Sequence, residues 1–296
     1  MTYLGFFLRK MVFGYLFLSL SGDKKLRKKK RNQVLAKLCE QFVQDIPVVI
    51  PKDSVPELQP KEYIFSMWLQ GEENAPRIVK SCWDSIRRLS KEELVILDAD
   101  SISRWIDLPD GFLDGWRKGN VKASHVSDFC RVELLWKYGG YWMDATDYLC
   151  HPVQEFIAEQ PFFIYLGDES GDSPFIQSCF IRAYAHHPII GAWRGAFRAY
   201  WEKHSKAFDY FVLHRLFRHC VLTNLEVAKL FNQMPQIQHY CTHYVRWGGY
   251  WDIPFDEETF RQITSEGAFQ KMEYKSPSSQ NPVPGTFADY FVNGKV

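Results

Sequence analysis

The chain has 296 residues, long enough for one sizeable core or for one domain with attached helices. Hydrophobic residues make up 46% and charged residues 24%, and the net charge of +1 gives the chain no overall pull on nucleic acid. Seven cysteines, odd in number and without a CxxC pair, argue against a disulfide framework and a cysteine zinc site, and for a reducing compartment. Aromatics are high at 16%; core packing accounts for most, and the surplus suits stacking on bases or sugar rings.

In chain order, residues 3–20 are strongly apolar but split by Arg9 and Lys10. The uninterrupted part, 11–20, is half of the ~20 residues a membrane span requires. A secretory signal carries its charge before the apolar run. Here the densest charge follows it: seven of the eight residues from 24 to 31 are basic. Apolar burial and attraction to anionic lipid add, which predicts an interfacial helix on an anionic membrane surface at the inner face of the cell membrane. A true span and a helix docked on the core are the alternatives.

Residues 32–43 read as a helix joining this anchor to the body. The stretch 46–60 carries four prolines and reads as a linker or a wrapping segment. The body is expected over 61–296, after an anchor and linker over 1–60. A buried strand is expected at 63–69, a helix from Pro76 to Leu89, and a second buried strand at 94–97 ending at Asp98. That alternation implies a parallel sheet with helical cover and a ligand site beyond the carboxyl ends of the strands. A glycine-rich loop follows at 110–120, then a helix over 123–138 stopped by Gly139 and Gly140. The strand at 141–143 runs straight into Asp144. Further strands are expected at 162–166 and 175–181, and helices at 189–203 and 209–222. His186-His187-Pro188 reads as a loop or helix entry, because adjacent histidines on a regular element point apart. Asp209-Tyr210-Phe211 and residues 247–252 are open to an acceptor-site or a packing role. The C-terminal third does not resolve into elements.

Two spacings carry chemistry. Asp128 and Arg131, three apart on the expected helix, share a face. Read alone, they make a surface ion pair worth under ~1 kcal/mol. Asp144 and Asp147 end a buried strand with Thr146 between them. They are hard oxygen ligands suited to Mg²⁺ or Mn²⁺, or a strand-terminating turn bonded to nearby backbone.

Ser127-Asp128-Phe129-Cys130-Arg131, a helix, Tyr138-Gly139-Gly140, an aromatic strand and Asp144-Ala145-Thr146-Asp147 together resemble the sugar-transferring glycosyltransferase family that contains the DXD motif. The pattern is most similar to its capsular polysaccharide synthesis branch, and also to the catalytic domains of clostridial glucosylating toxins. It runs from about residue 63 to 188, and Phe65 to Gly71 resembles the family's first strand.

The resemblance implies an α/β, GT-A-like, Rossmann-type mixed sheet with flanking helices. It implies a nucleotide-sugar donor of the UDP type, a divalent cation (Mn²⁺ or Mg²⁺), and transfer with retention to a polysaccharide or lipid-linked glycan acceptor. Trp68 would stack on the base, with Gly71, Gly140 and Trp142 completing the donor site. Asp128 and Arg131 would hold the sugar and diphosphate, and act with Asp144 in catalysis. Asp144, Thr146 and Asp147 would hold the metal. The third position of the motif is usually Asp, and here it is Thr146. Either the Thr146 hydroxyl ligates, or Asp147 takes over, or metal dependence is weaker. A toxin-like protein glycosyltransferase and a non-catalytic nucleotide-sugar or glycan-binding protein are the alternatives.

Overall fold

The structure, a computed structural model, describes residues 37–167 and 175–293 and four isolated positions nearer the N-terminus (Gly5, Leu8, Arg9, Val34). The apolar stretch 11–20 and the basic run 24–31 lie outside the described residues. Among the described residues no helix is long and apolar enough to cross a membrane.

The central sheet is mixed, as expected, in the order β2-β1-β3-β6-β5. Its strands are β1 (Tyr63–Met67), β2 (Glu93–Leu97), β3 (Gly140–Met143), β5 (Phe162–Leu166) and β6 (Ile176–Ala183). The first three run parallel, whereas β6 is antiparallel to both β3 and β5. Strand β4 (Asp147–Leu149) leaves this sheet and pairs antiparallel with β7 (Phe269–Lys271).

Both faces of the central sheet are covered, and the alternation of side chains divides the interior in two. Phe65, Trp142, Phe162 and Ile164 enter one core. Ile64, Tyr141, Phe163 and Tyr165 enter the other. Each fully buried large side chain contributes about 1.5–3 kcal/mol. The first core is closed by α3 (Ala123–Tyr138), α4 (Pro188–Lys203), α5 (Val212–Thr223) and α6 (Leu225–Gln233). Glu133 of α3, itself buried, accepts from Arg194 of α4 at 2.8 Å and from Arg198, tying the two helices together. The second core holds α1 (Arg77–Leu89), the β4–β7 ribbon and α8 (Phe287–Asn293). There Trp83 of α1 donates to Ser66 of β1 at 3.0 Å, and Leu149 N–H of β4 donates to Ser85 at 2.9 Å.

Several expectations are met closely, including the helix at 123–138 and its stop at Gly139. The proline-rich segment wraps the body: Glu57 and Ala185 exchange backbone hydrogen bonds, both 3.0 Å. Leu38, Cys39, Phe42 and Val43, in a helical stretch at 37–43, are buried in the first core. His187 enters α4 as its cap, accepting from Ile189 N–H through Nδ1.

Other expectations are corrected. The 110–120 segment contains a helix, α2 (Phe112–Arg117), with Gly111 at its N-cap. Its two turns are held by Phe112 packing on Phe129 and Trp201, which short-range pattern does not reveal. The C-terminal third holds α6, α7 (Glu257–Thr264), β7 and α8. Strands of three residues, such as β4 and β7, are too short to show periodicity.

Candidate active site

A cavity of about 360 Å³ opens beyond the carboxyl ends of the parallel strands β1 and β3. This is where an open α/β sheet binds ligands. Met67 and Trp68 reach it from β1, Trp142 and Asp144 from β3, and Ser124, Ser127, Asp128 and Arg131 from the first nine residues of α3. The first turn of a helix favours anions by about 0.3–1 kcal/mol.

The Asp128–Arg131 pair is not a surface ion pair. The two side chains are 7% and 5% exposed and lie 3.3 Å apart. Arg131 donates to the Ser178 carbonyl at 2.6 Å and to the Ser127 hydroxyl at 2.9 Å, and its guanidinium sits 5.0 Å from the centre of the Trp142 ring. It also lies 3.3 Å from Asp144. So many fixed partners hold one charge in one place, which is preorganisation.

Asp144 is the half-buried centre of the site. Its Oδ1 accepts from Trp142 Nε1 at 2.9 Å and its Oδ2 from the Lys271 ammonium at 2.8 Å. Burial raises its pKa, but Lys271 and Arg131 outweigh this and hold the carboxyl below the usual range. The Asp144–Asp147 stretch is a turn closed from Asp147 N–H to the Asp144 carbonyl at 2.9 Å. Asp147 Oδ2 accepts back from Asp144 N–H at 3.1 Å, and Oδ1 accepts from Lys271 at 2.9 Å. With no exposed surface, Asp147 does not line the cavity. Burial pushes its carboxyl up, against the pull of Lys271.

This donor set does not fit a divalent cation. Mg²⁺ and Mn²⁺ require oxygens at about 2.0–2.2 Å with open lone pairs. Each oxygen of the two aspartates already accepts an N–H donor, Asp147 is fully buried, and an ammonium stands between the two carboxylates where a dication would have to sit. Thr146 does line the cavity, and its carbonyl is held by Met272 N–H at 2.7 Å. Among the described residues no cluster of three His, Cys, Asp or Glu side chains is placed to hold a metal.

Of the expected donor-site residues, Trp68, Asp128, Arg131, Trp142, Asp144 and Thr146 line the cavity. Gly71 and Gly140 do not. Gly71 (φ +90°) makes the turn after Trp68, and Gly140 (φ +84°) lets β3 approach β1. Trp68 stands edge-on to Tyr274, with ring centres 5.1 Å apart. Asp98 caps its own turn, accepting from Ser101 N–H at 2.7 Å. Tyr210 and Phe211 line the cavity, and Tyr210 is well exposed. Trp247 stacks on His243 and Trp251 packs on Phe291, both away from it.

Sequence reasoning missed Lys271, Tyr274, Ser178 and His214. The His214 Nε2 atom lies 3.0 Å from the Ser178 hydroxyl, and burial lowers its pKa to about 4, so the ring is neutral at neutral pH. Lys271 comes from the strand paired with the motif, and only the Asp147↔Lys271 register brings it in.

A mixed α/β protein with an aromatic, cation-bearing cleft at its parallel strand ends is the class these observations define. The family model described as capsular polysaccharide synthesis protein matches residues 16–291, and the chain belongs to that family. It is 27% identical over 191 residues to the O-glycosyltransferase braB of Annulohypoxylon truncatum, covering 58% of this chain and 45% of that one. It is 28% identical over 166 residues to the glycosyltransferase afumC of Aspergillus fumigatus, covering 47% and 40%. The chain thus spans less than half the length of these curated relatives. Among solved structures, the PaToxG glycosyltransferase superposes with a TM-score of 0.40 at 14% identity, over 91% of this chain and 97% of that one.

Proposed function

We propose that this protein is a glycosyltransferase that moves a sugar from a UDP-type nucleotide-sugar to a polysaccharide or lipid-linked glycan acceptor, with retention at the anomeric carbon. The observation that carries the reading is the cavity in which an aromatic platform, Trp68, shares one wall system with the Arg131–Asp144 pair. A base stacks on a flat ring, and a diphosphate leaving group gathers negative charge that a fixed guanidinium stabilises. Two matched relatives are named as glycosyltransferases, which supports the same class.

In this reading Trp68 holds the base and Trp142 supports the Arg131 guanidinium from behind. Asp144 orients Arg131 and Lys271 and meets the donor's sugar or ribose hydroxyls. The acceptor enters past the exposed Tyr210. Retention by front-face attack requires no protein base, and the only histidine lining the cavity among the described residues, His214, is neutral. A divalent cation is part of the family expectation; here it would have to displace Lys271 from Asp144. We place the protein at the inner face of the membrane on the basic run at 24–31, which follows an apolar stretch.

The test is a screen of nucleotide-sugars for donor hydrolysis and transfer. Release of nucleoside diphosphate from at least one UDP-sugar is expected. Tight UDP binding without turnover of any donor, with or without glycan acceptors, would instead favour the non-catalytic binding protein. Co-sedimentation with phosphatidylserine vesicles, lost when residues 24–31 are neutralised, checks the membrane placement.

A further inference from the structure

Among the described residues Lys271 is the only lysine lining the cavity, and the reading above gives it no part beyond its contact with Asp144. The register of the β4–β7 ribbon puts it directly opposite Asp147. Its ammonium lies 2.8 Å from Asp144 and 2.9 Å from Asp147, with the side chain 19% exposed. An ammonium has three N–H donors, and these carboxylates use two. Lys271 stands between the carboxylates that the motif would otherwise offer to a metal ion. The pair cannot hold both: a dication there would face a neighbouring ammonium of the same sign, and would strip a largely buried lysine of its partners. The β-ribbon fixes this lysine before any ligand arrives, so its charge requires no reorganisation when the donor binds.

We propose that Lys271 supplies, from within the chain, the positive charge that meets the donor's diphosphate, in place of a divalent cation; this rests on the nucleotide-sugar reading above. In the transfer step the bond between the anomeric carbon and the β-phosphate oxygen breaks, and its electron pair goes to that oxygen. The acceptor hydroxyl forms the new bond to the anomeric carbon and gives its proton to the departing phosphate. Lys271, with Arg131 on the other side of Asp144, stabilises the charge that builds on the diphosphate before that proton arrives. Held by Asp144 and Asp147, Lys271 stays protonated throughout, acting as a fixed charge and not as an acid.

Calorimetry of the full-length chain with UDP and UMP, in EDTA and in Mn²⁺, tests this. In EDTA, UDP is expected to bind about tenfold or more tighter than UMP, because only the diphosphate reaches Lys271. Mn²⁺ is expected to change UDP affinity by less than about threefold. Lys271→Met is expected to lower the UDP-over-UMP ratio by about threefold or more, leaving the share that Arg131 supplies, and Lys271→Arg to keep most of the wild-type ratio. Since Lys271→Met leaves the buried Asp147 carboxylate facing Asp144 without a cation between them, the companion is Lys271→Met with Asp147→Asn, which removes one charge of each sign. That double variant is expected to fold and to show the same lowered UDP-over-UMP ratio as Lys271→Met. UDP binding that requires Mn²⁺, or a UDP-over-UMP ratio in the folded double variant equal to that of wild type, overturns the proposal and leaves the donor-site reading intact. If the wild-type chain binds neither UDP, GDP nor ADP in either buffer, the donor-site reading fails, and this proposal with it.

Discussion

Lys271 and Asp144 are joined by a 2.8 Å ion pair across 127 residues of sequence. That contact ties the end of the central sheet to the β4–β7 ribbon. Asp144 also receives Arg131 from α3, so three separate elements converge on one carboxylate. Removing it leaves Arg131 with Asp128 and Lys271 with Asp147, so neither cation is orphaned.

The first prediction follows from that redundancy. Asp144→Ala is expected to lower donor turnover by about 10²-fold or more, the scale of removing a preorganised electrostatic group. Its far-UV circular dichroism is expected to match wild type. Nucleotide release within a few-fold of the wild-type rate, from a folded variant, would remove Asp144 from the site.

How far the sequence carries this site depends on the element each residue sits on. Asp128 and Arg131 are legible because a sixteen-residue helix with apolar spacing surrounds them. Asp144 is legible because an aromatic strand runs straight into it. Their burial is not legible: it comes from Ser178 on β6 and from α5, both distant in sequence. Asp147 reads as a potential ligand, yet its second oxygen closes its own turn onto Asp144 N–H. Lys271 is invisible because β7 has three residues and no period of its own, and only strand pairing defines its place.

Trp68 provides a second prediction. A base stacked on an aromatic ring contributes about 1–3 kcal/mol, so Trp68→Ala is expected to weaken UDP binding by about 5- to 150-fold. Inorganic pyrophosphate, which has no base, is expected to bind wild type and variant alike. Equal loss for both ligands would mean that Trp68 shapes the diphosphate site through Tyr274, on which it packs.

Gly140 gives a prediction about the sheet. A Cβ at this position would stand 2.4 Å from the Tyr63 carbonyl oxygen, and φ is +84°. The obstacle is backbone on a hydrogen-bonded neighbour and has little room to yield. Gly140→Ala is expected to cost about 2 kcal/mol or more, combining strain and clash. Gly119 also has a positive φ (+75°) but nothing within 4 Å, so Gly119→Ala is the control and is expected to cost only about 1–2 kcal/mol. Urea midpoints of the two variants decide it; equal shifts would mean that β3 moves to accommodate the methyl group.

The last prediction concerns acid. Burial lowers the pKa of His187 to about 4. Its Nδ1 accepts the Ile189 N–H at 3.3 Å at the start of α4, and its ring stacks on Phe162. Only an imidazole unprotonated at Nδ1 accepts that bond. The unfolded chain binds a proton on this histidine near pH 6.5, whereas the folded chain resists it until about pH 4. Between those values the unfolded state holds more protons, so stability rises with pH, and the contribution is complete above about 6.5. As pH falls through the window it is lost, amounting to about 3 kcal/mol for this one group. His187→Asn keeps a side-chain oxygen able to cap α4 but cannot titrate. Its stability is expected to be lower at neutral pH, where packing on Phe162 is lost, and its decline between pH 6.5 and 4 is expected to be shallower than wild type. His214 and His243, held neutral by burial in the same way, keep some slope in the variant. Denaturant unfolding at half-unit pH steps measures this, and identical slopes for the two proteins would show that His187 takes up its proton without breaking the cap.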